Sequence, residues 1–401
     1  MARLAILWIW CGLAPATSAG AATFVVTKET DDDGLCEIGD CALREAVLAA
    51  NAAPGPDSIV LPGGTYQLSI PGPAEGSSFT GDLDVLEDLE LLGDPGTPTI
   101  IVGDGGDRVL EIRRSAVLIS NLTITGGSVG SSGGGVRTVL SDVTIVDSTI
   151  RDNSTTQDGG GIFFQLGTLD LINTTVSGNS AGPFGLGGGI FTFGIVQINP
   201  TTLTVVNSTF SGNSARRGGG IYSSSASHVF ITNSTLAANT ATFGGDAFAN
   251  NASPAPTFAN TLFTGGCSIF SNLHVSLGGN IESPGNTCQL PDTDRHSIAD
   301  PGIAGLADNS GPTWTHALLP GSPAIDTAVD GQCPDTDQRG FERPFDGDED
   351  MVATCDVGAY ELHEPNLTPL EIPALSSVGW AAFVLILAAA AVLRIRRQSR
   401  A

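Results

Sequence analysis

The segment NSTFSGNSARRGGGIY, residues 207–222, recurs along the chain in near-copies. NTTVSGNSAGPFGLGGGIF begins at Asn173, and DSTIRDNSTTQDGGGIF begins at Asp147. Copies aligned at their first Asn or Asp are spaced by 26, 26, 34, 26 and 27 residues. The aligned positions are Asn121, Asp147, Asn173, Asn207, Asn233 and Asn260. A period in this range predicts a solenoid, in which each repeat buries its apolar side chains by stacking on its neighbours.

Each repeat contains a short β-branched run, such as STI, TTV or STF, which suits a strand and is too short for a helix. A slot six residues after the aligned Asn holds only Gly or Asn, and we predict a bend with positive φ there. The aligned Asn is expected to form a second corner, with amides that hydrogen-bond along the stack. The residues in the later slot are Gly127, Asn153, Asn179, Asn213, Asn239 and Gly266. This pattern predicts an all-β fold, a right-handed parallel β-helix of about eight or nine coils over residues 58–281.

The composition is strongly acidic, with 17 Lys plus Arg against 42 Asp plus Glu and a formal net charge of −25. Such a chain would be repelled by nucleic acid and by an anionic membrane surface. We therefore expect no nucleic-acid partner.

Both ends of the chain carry targeting patterns. Residues 1–21 are predicted to be a signal peptide, because an apolar run too short to span a membrane precedes the small-residue stretch PATSAGA. Residues 362–375 form a linker containing IPALSSVG, and residues 376–401 an apolar helix followed by an arginine-rich tail. The sequence thus predicts an exported protein of the cell envelope or surface, held by or released from a C-terminal membrane segment. A plain tail anchor is the simplest alternative.

Six cysteines remain after Cys11 is removed with the signal peptide, and an even number in an exported chain favours disulfides. Their order suggests three local pairs, although the sequence allows fifteen pairings. The suggested pairs are Cys36 with Cys41, Cys267 with Cys288, and Cys333 with Cys355.

Residues 22–57 are predicted to hold a strand and a helix that caps the open end of the solenoid. Leu43, Ala46, Val47 and Ala50 fall on one helical face, and Asp40 is a candidate N-cap. The stretch CALREAVLAAN resembles the CSLREA motif of bacterial exported β-helix proteins, with Ala in place of the usual Ser. The repeats resemble those of polymorphic outer-membrane proteins.

Three stretches after the solenoid resemble the choice-of-anchor Q domain: LGGNI, DPGIAGLADNSGPTWTHALLPGSPAID and DQRGFERPFDGDEDMVATCDVGAYE. The resemblance predicts an irregular, disulfide-containing domain over residues 282–361. The tail resembles the IPTL-CTERM sorting signal, except that Ala374 replaces the usual Thr. That resemblance implies delivery to a membrane-embedded sorting and processing enzyme.

One coil breaks the repeat pattern with charged residues, and it supplies the low-ranking candidates for catalysis, Asp147, Arg151, Asp152 and Asp158. A pectate-lyase-like polysaccharide lyase needs aspartates that hold Ca²⁺ beside an arginine or lysine base. A solvated surface charge pair is the more common origin of such a pattern.

A planar side chain recurs one residue past the glycine-rich motif of each coil, at Arg137, Phe163, Phe191, Tyr222 and Phe248. Coils lie about 4.8 Å apart, so these groups should stack as a ladder. Two orientations are open. An outward ladder would form a platform for sugars or a partner protein, whereas an inward one would be part of the core. We favour an internal or half-buried stack. Asp346, Asp348 and Asp350 alternate in a spacing that suits a weak structural Ca²⁺ site, and no other cofactor is expected.

The sequence therefore predicts a non-catalytic, surface-anchored β-helix protein with an adhesive, structural or glycan-contacting role. Its expected partners are the sorting enzyme and a polysaccharide or surface protein. The alternative is an enzyme that degrades an acidic polysaccharide.

Overall fold

The computed structural model describes residues 20–363, apart from 73–75, 196–200, 252–253, 271–272 and 330. In chain order its elements are β1 Thr23–Val25, α1 Leu43–Ala52, β2 Asp57–Leu61, β3 Gly64–Gln67, β4 Leu83–Val85, β5 Leu89–Gly93, β6 Thr99–Val102, β7 Leu110–Arg113, β8 Ala116–Ser120, β9 Thr123–Thr125, β10 Ser128–Val129, β11 Val136–Val146, β12 Thr149–Arg151, β13 Ser154–Thr155, β14 Ile162–Ile172, β15 Thr175–Ser177, β16 Ser180–Ala181, β17 Ile190–Phe193, β18 Thr201–Val206, β19 Thr209–Ser211, β20 Ser214–Ala215, β21 Ile221–Ser224, β22 Ser227–Thr232, β23 Thr235–Ala237, β24 Thr240–Ala241, β25 Phe248–Asn250, β26 Thr257–Ala259, β27 Leu262–Thr264, β28 Cys267–Ser268, β29 Val275–Ser276, β30 Ile281–Ser283, β31 Ile303–Ala307 and β32 Thr315–Leu318.

The strands β1 to β30 form three parallel sheets that run along the solenoid. The first sheet contains β1, β2, β5, β8, β11, β14, β17, β21, β25 and β28, with β4, β7, β18, β22, β26 and β29 paired alongside. The second has the order β3-β6-β9-β12-β15-β19-β23-β27-β30, and the third β10-β13-β16-β20-β24. Equivalent residues pair across coils, as Ile150 does with Ile124 and Val176. The predicted parallel β-helix is therefore confirmed.

The core runs along the inside of the coils. In the second sheet the middle residue of each short strand points inward and is fully buried: Ile124, Ile150, Val176, Phe210, Leu236 and Phe263. Their sequence neighbours point to the outer face because side chains alternate along a strand. The second sheet thus presents an outer face made of the first and third residues of each strand.

The aligned slot forms a corner with an amide contact along the stack, as predicted, but the bend predicted for the later slot lies one residue earlier. Positive φ occurs at the aligned corner, from Asn121 (φ 56°) to Asn260 (φ 47°), and at the residue before the later slot, such as Gly178 (φ 64°). The later slot instead holds a buried amide ladder. The Asn179 side chain donates to Ile150 O (2.9 Å) and to Asn213 Oδ1 (3.0 Å). Its own Oδ1 accepts both the backbone N–H and the side-chain amide of Asn153. Both slots can hold Asn for different reasons, and the sequence pattern alone did not separate them.

The helix α1 covers the first coils, as predicted, but Asp40 is not its cap. Glu45 Oε2 accepts the backbone N–H of Ala42 at 2.7 Å and so closes the helix start. Arg44 is fully buried and ties the helix to the loop before β4.

Residues 284–363, which we call the C-terminal cover, fold back over the outer face of the second sheet. The corner amides of Asn207 and Asn233 donate to the carbonyl oxygens of Thr336 and Gln332 in the cover. The chain forms the three local disulfides that the cysteine order suggested: Cys36–Cys41, Cys267–Cys288 and Cys333–Cys355.

No helix within the described ranges is long and apolar enough to cross a membrane. The predicted C-terminal membrane helix and nearly all of the predicted signal peptide lie outside those ranges.

Replacing Asn179 with Leu should destabilise the protein by about 2–4 kcal/mol, because the amide and backbone donors of Asn153 lose their buried acceptor. Chemical denaturation measures this loss. The control is Asn121→Gly, which keeps a residue that adopts positive φ and removes only a side-chain bond to Ser120. Equal stability of the two variants would contradict a supporting role for the ladder.

Candidate functional site

A groove of about 720 Å³ lies on the outer face of the second sheet, along the edge of the surface that the C-terminal cover occupies. Its floor is built from outward side chains of β9, β12 and β15. Thr123, Thr149 and Thr175 occupy equivalent positions on these strands and form a column of hydroxyl groups. The parallel register places successive hydroxyls about 4.8 Å apart.

The two walls come from distant parts of the sequence. One is the turn at residues 94–99, and the other includes Leu306, Asp308, Gly311, Pro312 and Trp314 of the cover. Trp314 lines this second wall with 55% of its surface exposed. Its backbone is fixed to the floor, since its carbonyl oxygen accepts the Thr175 hydroxyl at 2.6 Å. The groove therefore offers a large aromatic side chain beside a hydroxyl-rich floor.

The covered part of the same face shows how its hydroxyl groups bind a chain laid across them. The Gln338 amide nitrogen donates to Thr175 Oγ1 (2.9 Å) and to Thr313 Oγ1 (2.8 Å). The Gln338 oxygen accepts the Thr209 hydroxyl at 2.6 Å. Thr123 and Thr149 continue this column beyond the cover and face the groove.

Only three of the four predicted catalytic candidates lie together in the structure. Asp147, Arg151 and Asp152 line the groove. The Arg151 guanidinium bonds to the Asp152 carboxylate at 2.6 Å, with 43% and 60% of the two side chains exposed. Asp147 forms the aligned corner and accepts the side-chain amide of Asn173.

Asp158 lies in the loop after the third sheet, where its carboxylate accepts the backbone N–H of Leu186 at 2.9 Å. The four residues therefore do not form one site. Among the described residues, the groups of three carboxylates close enough to share a metal ion include none of them.

The predicted ladder is real for four of its five members. Arg137, Phe163, Phe191 and Tyr222 pair in register on the first sheet. Ring centroids are 5.4 Å apart for Phe163 and Phe191, and 5.8 Å for Phe191 and Tyr222. The inward neighbours are core residues, so the ladder stands on the outer face, but Leu186 and Phe193 pack against it. The ladder thus projects from the outer face of the sheet, where Phe191 and Tyr222 are buried and Arg137 and Phe163 are half-buried.

Phe248 was assigned to the ladder wrongly. It pairs with Ile221 and is fully buried in the core, while Ala249 pairs with Tyr222. The carbonyl oxygen of Gly245, and not that of Gly244, accepts the backbone N–H of Gly219. Gly244 is therefore an extra glycine before the bend. Counting from the first glycine therefore shifts the assignment by one residue.

A buried charge cluster at the end of this ladder was missed. Glu111 pairs with Arg137 and Asp84 pairs with Glu111, so the outer column continues into two carboxylates. Asp82 joins them through Arg108, whose guanidinium contacts Asp82 (2.9 Å) and Glu111 (2.6 Å). Burial raises the pKa of Asp82 to about 7, against the opposing effect of Arg108. These acids lie outside the Asn repeat and come from different coils, so no local sequence pattern predicts the cluster.

Asp82, Asp84 and Glu111 can bring one carboxylate oxygen each within 4.8 Å of the others. Three guanidinium groups already neutralise them, since Arg113 contacts Asp84 at 2.6 Å and Arg137 bonds to Glu111. The arrangement is typical of an internal ion-pair network.

The aspartate loop of the cover differs from its predicted arrangement. Asp326, Asp346 and Asp348 form the group that could share a cation, and Asp350 is not part of it. Asp350 Oδ1 instead accepts the backbone N–H of Val352. Asp326 lies 20 residues before Asp346 in the sequence, so the alternating pattern did not reveal it.

The comparisons with known proteins agree with this architecture. A family model described as "Right handed beta helix region" matches residues 99–263. The chain is thus a right-handed parallel β-helix protein. A solved structure titled "Crystal structure of pectate lyase Pel9A" is similar, with a TM-score of 0.52 and 12% identity over 86% of this chain and 97% of that chain. At this identity the likeness shows the fold alone. No curated protein matches the chain.

Stability should fall as the pH rises from about 4 to about 8, because burial raises the pKa of Asp82 to about 7 and that of Asp356, in the C-terminal cover, to about 8. A raised carboxyl pKa means that the folded state binds the proton more tightly than the unfolded state. The stabilisation is complete at low pH and is lost as the pH rises through the folded-state values.

Thermal unfolding across this range tests the effect with Asp82→Asn and Asp356→Asn, each of which should flatten the pH dependence. The same slope in the wild type and both variants would show that these carboxyl groups are not its cause.

Proposed function

We propose that this protein is a non-catalytic, exported β-helix protein of the cell surface that binds neutral glycans in the groove beside Trp314. The carrying observation is the exposed Trp314 side chain held at the edge of an open column of threonine hydroxyls. An indole presents a flat apolar surface on which the apolar face of a sugar ring packs, and its N–H is available as a donor.

The floor supports the same assignment. Thr123 and Thr149 carry hydroxyl groups that both donate and accept hydrogen bonds, as the hydroxyls of a sugar require. Their covered equivalents Thr175 and Thr209 bind the Gln338 amide in this way. A polar ligand laid along the groove would continue the contacts that the cover makes.

The charge of the groove favours a neutral ligand over an acidic one. Its lining contains a single arginine, Arg151, and four carboxylates: Asp94, Asp147, Asp152 and Asp308. Since Arg151 is paired with Asp152, an acidic polysaccharide would meet uncompensated negative charge.

The groove also lacks the arrangement that a lyase would need, as far as the described residues extend. Its only guanidinium is bonded to an exposed carboxylate, and none of its carboxylates belongs to a group of three within reach of one metal ion. The pectate-lyase-like alternative rests on the shared fold, which hosts catalytic and non-catalytic proteins alike.

Export and anchoring remain proposals that rest on the two termini. The apolar start and the IPALSSVG tail support delivery to the envelope and contact with a membrane-embedded sorting enzyme. A structural Ca²⁺ at Asp326, Asp346 and Asp348 would be an addition to the cover rather than part of the groove.

Trp314→Ala should weaken binding of a neutral oligosaccharide by about tenfold or more, because the stacking surface is lost. Retention on a panel of immobilised neutral glycans identifies the ligand, and calorimetry then measures its affinity. The matched control is Phe230→Ala, which removes an aromatic side chain that is 41% exposed and lies outside the groove.

The same glycan panel, incubated with and without Ca²⁺, is scored for new reducing or unsaturated ends. Appearance of such ends would refute the non-catalytic assignment. Equal binding by the wild type and the Trp314 variant would refute the groove as the site.

A further inference from the structure

A second surface combines exposed aromatic and cationic side chains, on the loops that follow the third sheet. It consists of Phe184, Arg216, Arg217 and Phe243, which we call the arginine-aromatic patch. Phe184 and Phe243 are 81% and 58% exposed. The Arg216 guanidinium lies 5.0 Å from the centroid of the Phe243 ring.

Backbone hydrogen bonds hold the patch together across three coils. Arg216 N–H donates to Gly185 O, and Phe243 N–H donates to Arg216 O, both at 2.9 Å. A side chain at Gly185 would collide with the carbonyl oxygen of Gln157, so this position requires glycine. The backbone at Gly185 therefore packs closely against the preceding coil at Gln157, and the neighbouring Phe184 side chain is exposed to solvent.

Phe184 lies on a lengthened loop. Thr155 pairs with Ala181 and Ile162 with Ile190, so the segment between these pairs is two residues longer in the second coil than in the first. The core and the strand register are unchanged on either side, and the extra length serves only the surface.

The charge of the patch is unusual for a chain of net charge −25. Within the described residues neither Arg216 nor Arg217 forms an ion pair. The Asp158 carboxylate lies close to this surface, because it accepts the N–H of Leu186, whose backbone pairs with that of Arg217. The patch and Asp158 together carry two positive charges and one negative charge, which leaves about one positive charge to share with a ligand.

We propose that the arginine-aromatic patch binds a glycan that carries isolated carboxylate groups among neutral sugars. A sugar ring stacks on Phe184 or Phe243, and its carboxylate pairs with a guanidinium. The net charge of the whole chain disfavours a densely charged polyanion, whereas a single carboxylate matches the local charge.

The size and layout of the patch favour a linear ligand over a folded protein. Four side chains on loops of three successive coils are far fewer than the roughly 20–30 residues that each partner contributes to a standard protein interface. The residues follow the direction in which the coils stack, which suits an extended chain.

The test uses the purified full-length chain with a short hyaluronan oligosaccharide and the same oligosaccharide with its carboxylates methyl-esterified. We expect the free acid to bind more tightly than the ester, and more weakly as salt is raised. Arg217→Gln and Phe184→Ser should each reduce binding of the acid by about tenfold. Arg114→Gln removes an exposed arginine elsewhere and should have no effect.

Trp314→Ala separates this site from the groove. The acid should bind this variant normally even if the groove binds no neutral glycan, so the two proposals can fail independently. Thermal unfolding confirms that each variant is folded. Equal affinity for acid and ester, an unchanged affinity after Arg217→Gln, or tighter binding of a single-stranded oligonucleotide to the same patch would overturn the assignment.

Discussion

A buried column of asparagine amides helps to hold the central coils of this protein in register, from Gly127 to Asn239. Each central member uses both amide hydrogens, one on a backbone carbonyl of the preceding coil and one on the next asparagine. Its oxygen accepts two hydrogens from the preceding asparagine. An amide has matched donors and acceptors, so the column closes without charge inside an apolar interior. Any slip between coils would leave these groups buried and unpaired, which is costly.

That fixed stacking turns single residue types into continuous surfaces. A threonine at one position of each coil becomes a hydroxyl column, and an aromatic residue at another becomes a ring stack. The C-terminal cover uses the hydroxyl column from Thr175 to Thr235 as its docking surface. The candidate groove is the part of that column beyond the cover, so docking of the cover and the proposed ligand binding use the same hydroxyl groups.

The repeat predicted the architecture because a period of 26 residues with short β-branched runs has few structural solutions. It could not fix positions within a coil where two residue types suit two roles. Asn tolerates a left-handed corner and also satisfies a buried ladder, and Gly244 offset the count that placed Phe248. The groove also needs Trp314. This residue lies far from Thr175 in the sequence, and folding brings the two within hydrogen-bonding distance. No local pattern encodes that return.

The CALREA stretch has a structural role in this chain, which is carried by Arg44. All five N–H donors of Arg44 are engaged: two reach Asp31, and three reach the carbonyl oxygens of Ser78, Gly81 and Asp82. Lysine has only three donors and no planar fork, so it cannot satisfy this set. Because Asp82 anchors the buried charge cluster, the same arginine connects the end cap to the ion pairs that terminate the aromatic column. In this chain Arg44 therefore holds the capping helix on the first coils, and the proposed binding surfaces lie further along the solenoid.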